Sequence, residues 1–268
     1  MYFLISLFST KKNDSYKFCF SVFIIIASIY LTPLVAQTSR EIQLIESLPS
    51  FESNISGMET AANELINSKV PFVQMHGHYS KGFVQLVKGR NEEALEHFKA
   101  TRNIAKDFGE DEFEAKAISK ILTVHYAQSD FRNLNKAILE AFYFAKQRND
   151  SLLLATTFKY KALYHKEQKE LKKAVNANIV TAKLYESLNH PLAINAYLNI
   201  AGIYRIMRQH DFAIYWMRVA YQKAKEVDYF PVTYAARNNL GNQFQLMGYT
   251  DSALYYYDLN WKDSSLLN

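Results

Sequence analysis

A local pattern that returns at nearly constant intervals constrains this chain of 268 residues more than any other feature. Each occurrence starts with an Ala that is followed directly by an aliphatic residue, and several have a bulky residue four positions after the Ala. The pattern occurs at Ala94, Ala137, Ala174, Ala213 and Ala253, with spacings of 43, 37, 39 and 40. Repeats of this length are typical of solenoids, in which each unit buries its apolar face only against its neighbours.

Proline and glycine divide each repeat into two helices. Pro71, Pro191 and Pro231 precede the Ala of their repeat by nearly the same interval, with spacings of 23, 22 and 22. Proline fits the first turn of a helix because the N–H that it lacks would have no partner there. Gly89 and Gly248 are placed to end first helices, where glycine accepts the left-handed conformation. We therefore predict an all-α fold of antiparallel helix pairs.

The same residues resemble the tetratricopeptide repeat (TPR) family, whose pattern combines small residues, aromatic residues and a glycine. The fifth unit fills every column of that pattern, with Leu240, Gly241, Phe244, Gly248, Ala253 and Tyr257. The resemblance covers about residues 71–268 and implies a right-handed α-solenoid of five TPR-like helix pairs with a period of about 40. HEAT-like repeats have a similar period but lack the Gly and Ala columns. In the second and third units, Tyr126 and Tyr164 lie farther from their Ala, which predicts turns one or two residues longer.

The amino-terminal segment has the pattern of an export signal. Lysines precede an apolar run from Phe18 to Leu31, and the small residue Ala36 precedes a polar stretch. We interpret residues 1–36 as a signal peptide cleaved after Ala36; an uncleaved membrane anchor and a misassigned start are the alternatives. The predicted location is exported: periplasmic, in the envelope or secreted. Residues 37–70 are predicted to form a helical amino-terminal cap, with a half repeat as the alternative.

The sequence carries no signature of catalysis or of cofactor binding. Its single cysteine, Cys19, lies in the apolar run, so the exported chain would contain neither a disulfide nor a thiolate. The seven histidines lack metal-ligand spacing, and no phosphate loop or nucleophile elbow is present. We therefore predict no enzymatic activity, no cofactor and no metal site. The net charge of +5 combines 31 basic with 26 acidic residues, so nucleic acid is not a predicted partner.

A ligand-binding groove is predicted on the first helices. The TPR resemblance implies that this groove is lined by positions that precede the packing Ala by about 18, 15, 11 and 8. In the fourth and fifth units these positions hold Asn195, Leu198, Gly202, Arg205, Ala235, Asn238, Asn242 and Gln245. Asn is a mediocre helix former and its amide both donates and accepts hydrogen bonds, so repeated amides favour contact with an extended peptide. The candidate binding residues are Asn195, Arg205, Asn238, Asn242 and Gln245.

Two alternatives accompany this site and its function. Asn in such a motif also bonds one helix to another, which is the role expected of Asn199 and Asn239. The resemblance implies an exported, non-enzymatic solenoid that binds a protein or peptide, such as the sensing part of a signal-transduction system. A structural or assembly scaffold of the cell envelope is the main alternative, and an accessory domain of an enzyme is a third.

The last helix and the amino-terminal segment supply two further predictions about partners. Apolar residues on more than one side of the helix that begins near Asp251 predict that it contacts another element. That element would be a second copy of the chain, which gives self-association, a partner, or further repeats of a longer protein. Membrane contact is expected only through an uncleaved amino-terminal segment.

Overall fold

The computed structural model describes residues 39–51 and 54–265, and within these ranges every regular element is a helix. The predicted signal peptide, residues 1–36, lies outside the described residues. Residues 39–47 form α1, which is followed by a 3-10 helix at Leu48–Phe51. The remaining helices are α2 (Ile55–Ile66), α3 (Pro71–Val87), α4 (Asn91–Phe108), α5 (Asp111–Ala127), α6 (Phe131–Arg148), α7 (Ser151–Glu167), α8 (Leu171–Ser187), α9 (Leu192–Ile206), α10 (His210–Glu226), α11 (Phe230–Leu246) and α12 (Thr250–Ser265). In the described ranges, no helix is both long and apolar enough to cross a membrane.

The chain divides into two compact units, Met1–Val84 and Gln85–Asn268. In the first unit, α2 crosses α3 at Gly77, where a Cβ would lie 2.6 Å from the backbone nitrogen of Ile66. Only glycine permits this close approach of the two backbones. The buried apolar residues of this unit are Met58, Ala61, Ala62, Leu65, Val73, Met75 and Val84. The role of residues 37–70 as a cap stays a prediction.

The second unit consists of helices that pack on their neighbours along the chain, and its repeat is more regular than the Ala pattern indicated. Five helices begin at equivalent points of the repeat: α4, α6, α8, α10 and α12. Their first residues are Asn91, Phe131, Leu171, His210 and Thr250, with spacings of 40, 40, 39 and 40. We call them the second helices of their pairs. The fourth residue of these helices is an Ala in every pair except one, where it is the fully buried Leu134. The choice of Ala137 for the second unit was therefore wrong, because that residue lies almost one helical turn farther along the same face.

Left-handed backbone conformations end the helices at two regular positions. Within pairs, these residues are Gly89, Ser129, Lys169, Arg208 and Gly248, and between pairs they are Gly109, Asn149, Asn189 and Asp228. Their φ angles lie between 49° and 80°, and six of the nine are not glycine. The predicted helix ends at Gly89 and Gly248 are confirmed. All five turns within pairs contain three residues, so the prediction of longer turns in the second and third units was wrong.

The residue six positions before each second helix anchors the turn within the pair. Its carbonyl accepts the backbone N–H of the residue five positions later, at 2.9 Å in each of the five turns. This position holds Gln85, His125, His165, Tyr204 and Phe244. His125 and His165 thus occupy the aromatic column that the sequence analysis assigned to Tyr126 and Tyr164. The His165 Nδ1 atom also lies 2.6 Å from Glu170 Oε2, so a side-chain contact reinforces that turn.

Candidate functional site

The predicted groove positions recur on α5, α7, α9 and α11, the first helices of the second unit. They precede the start of the following helix by 15, 12, 8 and 5, a spacing that puts them on one face. We call these sixteen positions the groove surface: Lys116, Ser119, Thr123, Tyr126, Thr156, Lys159, Leu163, Lys166, Asn195, Leu198, Gly202, Arg205, Ala235, Asn238, Asn242 and Gln245. Four of the sixteen are Lys or Arg and none is Asp or Glu. The groove surface is therefore basic, although the chain as a whole carries nearly balanced charge.

Lys159 is one of the two half-buried groove cations, since Lys116 and Arg205 are exposed. Its Nζ lies 4.5 Å from the centre of the Tyr160 ring, which attracts a cation through its face. Burial lowers the pKa of the Lys159 ammonium, and the nearby Tyr185 only partly opposes this shift. A negatively charged ligand at this position would stabilise the protonated ammonium.

At the end of α11, the structure brings two predicted groove residues together. Asn242 and Gln245 are both exposed. The Tyr257 hydroxyl from α12 donates a hydrogen bond to Asn242 Oδ1 at 2.7 Å and lies 3.0 Å from Gln245 Oε1. The Tyr257 ring packs where Gly241 has no side chain, since a Cβ at that position would lie 2.8 Å from its Cδ1 atom. With their oxygens facing the hydroxyl, the two amides retain N–H groups for a ligand.

The other predicted amides of the groove surface are less constrained. Asn195 and Asn238 are half-buried on α9 and α11, and within the described ranges neither makes a side-chain hydrogen bond. Asn199 and Asn239 also make no side-chain hydrogen bond in the described part of the chain, and Asn199 is exposed. The helix-to-helix role expected of Asn199 and Asn239 was therefore wrong.

Arg205 lies at a cavity of about 180 Å³ between α7, α8 and α9. The lining residues are Ala162, Leu163, Lys166, Asn178, Leu198, Asn199, Gly202, Ile203, Arg205 and Ile206. Five of them belong to the groove surface, and none of the ten is acidic. The buried residues Ala162, Asn178 and Ile203 form the inner wall, whereas Asn199 and Arg205 are exposed and border the opening. The cavity therefore opens on the groove surface.

Two small residues create this cavity. The eighth residue of the second helix is large and apolar or aromatic in four repeats, at Phe98, Ile138, Met217 and Tyr257, but in the third unit it is Asn178. It faces a position on the preceding helix that is Leu122, Ala162, Ala201 and Gly241 in the second to fifth units. Large and small residues complement each other in the fourth and fifth units, and two larger aliphatic residues meet in the second. Only the third unit combines two short side chains, Ala162 and Asn178, so the space between them is incompletely filled.

Helix packing around the cavity agrees with this description. First helices of adjacent pairs contact each other at α5–α7 and at α9–α11, whereas the α7–α9 contact is smaller than both. Gly202 contributes to the gap, because a Cβ at this position would have no atom within 4 Å. The open space at Gly202 thus continues the cavity toward the groove surface.

Asn178 leaves an unsatisfied acceptor beside the cavity. Its side chain is 3% exposed, and its Nδ2 donates to the Ala174 carbonyl oxygen at 3.2 Å. Its Oδ1 is buried and has no hydrogen-bond partner among the described residues. Reversing the amide would bring two acceptor oxygens together, so the bond to Ala174 fixes this orientation. Buried polar atoms without a partner are rare in folded proteins.

Five residues of this site were not predicted from the sequence: the groove lysines Lys116, Lys159 and Lys166, and the second-helix residues Asn178 and Tyr257. Asn178 and Tyr257 lie on second helices, whereas the groove positions implied by the TPR resemblance all lie on first helices. Lys166 lies on a first helix of the third unit, whose groove positions were not assigned. Aligning the repeats on their turns would have revealed a buried Asn in a column of bulky residues. In the described ranges, no group of three or more His, Cys, Asp or Glu residues could hold a metal ion.

Comparison with known proteins shows similarity of structure alone. No protein-family model matches the sequence, and no curated protein matches it. Solved structures do match, with TM-scores of 0.69, 0.64 and 0.62 for three examples. The first is a signal-transduction ATPase with numerous domains (STAND) that has a tetratricopeptide repeat sensor, from Pyrococcus horikoshii; the second is a Rap protein complexed with competence and sporulation factor; the third is the apo form of RapI.

These matches combine low identity with extensive coverage of the chain. The STAND protein is 15% identical and is matched over 86% of this chain but only 38% of its own length. The two Rap proteins are each 12% identical and are matched over 85% of this chain, and over 74% and 97% of their own lengths. The comparisons and the helix pairs together confirm the predicted fold class, a TPR-like α-solenoid. At this low identity the structural matches establish only the fold, so the ligand has to be inferred from the chemistry of the site.

Proposed function

We propose that this protein is a non-enzymatic scaffold that binds a peptide or an extended segment of a partner protein on its groove surface. The single observation that carries the proposal is the composition of that surface, which has four cations, four amides and no acidic residue among sixteen positions. Amides can bond the N–H and C=O groups of an extended backbone, and the cations favour an acidic segment. The structural match to a Rap protein complexed with competence and sporulation factor supports the use of this fold as a binding scaffold.

The location and pathway belong to the same proposal. A signal peptide at residues 1–36 would export the protein, and the match to the repeat sensor of a STAND protein supports a sensing role. A structural scaffold of the envelope remains the alternative and differs in its expected partner. A sensor would release a short ligand, whereas an assembly scaffold would form a stable stoichiometric complex with a whole protein.

The test compares the wild type with a full-length double variant that carries both Asn238→Ala and Asn242→Ala. The probe is an array of ten-residue peptides that samples acidic, basic and neutral sequences. Loss of two amide contacts, each worth about 0.5–1.5 kcal/mol, should weaken peptide binding about 5- to 150-fold. The melting temperature should stay nearly unchanged, because Gln245 still accepts the Tyr257 hydroxyl.

The matched control is a double variant, Asn135→Ala and Asn176→Ala, that removes two exposed amides from second helices. It should leave both peptide binding and stability unchanged. If the Asn238 and Asn242 variant lost stability while retaining its peptides, these side chains would serve packing. If the wild type retained no peptide, the peptide proposal would be wrong. Size-exclusion chromatography of envelope extract would then test the scaffold alternative by its stoichiometric complex.

A further inference from the structure

We propose that the exposed side of α12 binds a second copy of this chain, which packs its own α12 antiparallel on the same side. We call this surface the forward face, because the equivalent residues of two earlier helices contact the pair that follows. The forward face is defined by Leu254, Asp258 and Trp261. None of the sixteen groove positions lies on α12, so this inference goes beyond the proposed peptide binding.

In α8 and α10, the fifth and twelfth residues of the helix face the following pair. The fifth residues, Val175 and Ile214, are buried, and Ile214 belongs to a hydrophobic cluster with residues of α11. At the twelfth position of α10, the Tyr221 ring centre lies 5.4 Å from the guanidinium carbon of Arg237 and 6.4 Å from the ring centre of Tyr256. The next pair therefore covers this side of the helix.

The same two positions of α12 are open. They hold Leu254 and Trp261, which are 59% and 75% exposed. Together with Asp258 they line a shallow groove of about 620 Å³, whose remaining lining residues are Asp251, Tyr255 and Tyr257. A contiguous apolar face that is covered in α8 and α10 but exposed in α12 indicates a surface for association.

The order of residues on the forward face identifies a second copy as the occupant. Helices joined by short turns run antiparallel, so this side of a second helix is shaped to receive an antiparallel helix. Leu254 lies four residues before Asp258, and Trp261 lies three residues after it. A reversed α12 centred on Asp258 therefore brings the apolar Trp261 opposite Leu254, and the two-fold axis repeats this contact on the other side. Such an isologous contact is the commonest kind in dimers.

The charges of α12 favour the same occupant. The groove lining contains two acidic residues, Asp251 and Asp258, and no basic residue. In the reversed copy, Lys262 lies opposite Leu254 and thus between these two carboxylates. Lys262 Nζ lies 2.6 Å from Asp258 Oδ2 of its own helix, but both side chains are more than half exposed, so this pair is weak and can be shared across the contact. An anionic lipid surface would be repelled by the same carboxylates.

Sedimentation equilibrium of the full chain over a wide concentration range tests the inference. The wild type should show a monomer–dimer equilibrium in the micromolar range, because one helix from each copy forms a small interface. Leu254→Lys places a cation opposite Lys262 of the second copy and should weaken the dimer about a hundredfold, since each dimer contains the change twice. The matched control is Leu139→Lys on α6, where the leucine is 55% exposed, and it should leave the dimer unchanged.

A second pair of variants tests the charge pattern. Lys262→Glu replaces the cation between the two carboxylates with a third acidic residue and should weaken the dimer about tenfold. The control Lys183→Glu makes the same change at the equivalent, exposed position of α8 and should have no effect. The changed side chains are all exposed, so circular dichroism should show the helix content of the wild type in every variant.

Cross-linking tests the orientation of the two helices. In a Cys19→Ser background, Asp258→Cys places a thiol at the two-fold axis and should give a disulfide-linked dimer under mild oxidation. Leu254→Cys should link poorly to itself but readily to Trp261→Cys when the two variants are mixed. Leu139→Cys is the control and should stay unlinked.

The outcomes are clear in both directions. A wild type that stays monomeric at every concentration would overturn the inference, even if another protein binds the forward face. A dimer that survives in both Leu254→Lys and Lys262→Glu would be held by a different surface, such as the amino-terminal segment, and would also overturn it. So would a dimer that Asp258→Cys does not link. Loss of the dimer in Leu254→Lys alone among the leucine variants, with linkage at position 258, would establish the contact.

Discussion

Two glycines in the middle of first helices provide a sharp test of the packing described above. Gly202 in α9 and Gly241 in α11 both occupy helix interiors, where replacing Gly by Ala normally stabilises a protein by about 0.5–1 kcal/mol. At Gly202 a Cβ would meet no atom within 4 Å, so we expect Gly202→Ala to give this gain. At Gly241 a Cβ would lie 2.8 and 2.9 Å from two atoms of the Tyr257 ring, so the same substitution should destabilise.

The expected loss at Gly241 follows from three effects. Overpacking in a well-packed core costs about 1–3 kcal/mol, and the gain in helix propensity returns about 1 kcal/mol of it. If the ring moves aside, the Tyr257 hydroxyl loses both of its acceptors, Asn242 and Gln245, at a cost of about 0.5–1.5 kcal/mol. We therefore expect Gly241→Ala to lower the free energy of unfolding by about 1–3 kcal/mol in denaturant titrations followed by circular dichroism.

A double variant identifies the cause of that loss. In the fourth unit the equivalent positions are Ala201 and Met217, which lie in one hydrophobic cluster. Gly241→Ala combined with Tyr257→Met transfers this pair to the fifth unit and should be at least as stable as Tyr257→Met alone. A Gly241→Ala variant as stable as Gly202→Ala would refute the reasoning, because the Tyr257 ring would then not limit the space at position 241.

Two other predictions concern the turns. Burial lowers the pKa of His125 despite the opposing charge of Asp130, so the folded state keeps the imidazole neutral. The unfolded chain takes up the proton near the ordinary histidine pKa of about 6.5, so the free energy of unfolding should fall as the pH drops below that value. The denaturation midpoints at pH 7.5 and pH 5 should therefore differ less in His125→Phe than in the wild type. Lys169→Gly and Arg208→Gly relieve left-handed conformations and should each raise the free energy of unfolding by about 0.5–1 kcal/mol. Lys183→Gly, at an exposed interior position of α8, should instead lower it by about 1 kcal/mol. Equal effects at the three sites would contradict the left-handed assignment.

The sequence predicted the helix pairs well because several local signals agreed in the fourth and fifth units. In the fourth unit, Pro191 lies directly before the helix Leu192–Ile206, and the repeat residue Ala213 lies in the first turn of the helix His210–Glu226. The second unit was misaligned for a physical reason. Ala137 and Leu134 lie three residues apart on nearly the same side of a helix, so an apolar pattern alone does not distinguish them.

The candidate site was predictable only in part. Family positions indicated the first-helix residues, and the structure places Asn242 and Gln245 together around a hydroxyl. The cavity depended on a second-helix residue, Asn178, and on the size of its partner across the helix pair. Such a vacancy results from the sum of two side-chain volumes, and this sum becomes visible only after the repeats are aligned on their turns.

The left-handed residues of the second unit also have a consequence for how such a chain changes length. Within pairs they recur with spacings of 40, 40, 39 and 40, and each marks an equivalent point of the backbone path. A recombination event between two such points removes or adds one whole helix pair and leaves both flanking helices in phase. Because groove cations and amides travel with each pair, the same event would lengthen or shorten a ligand bound in the way proposed above. Under that proposal, duplication of gene segments alters specificity without any point substitution.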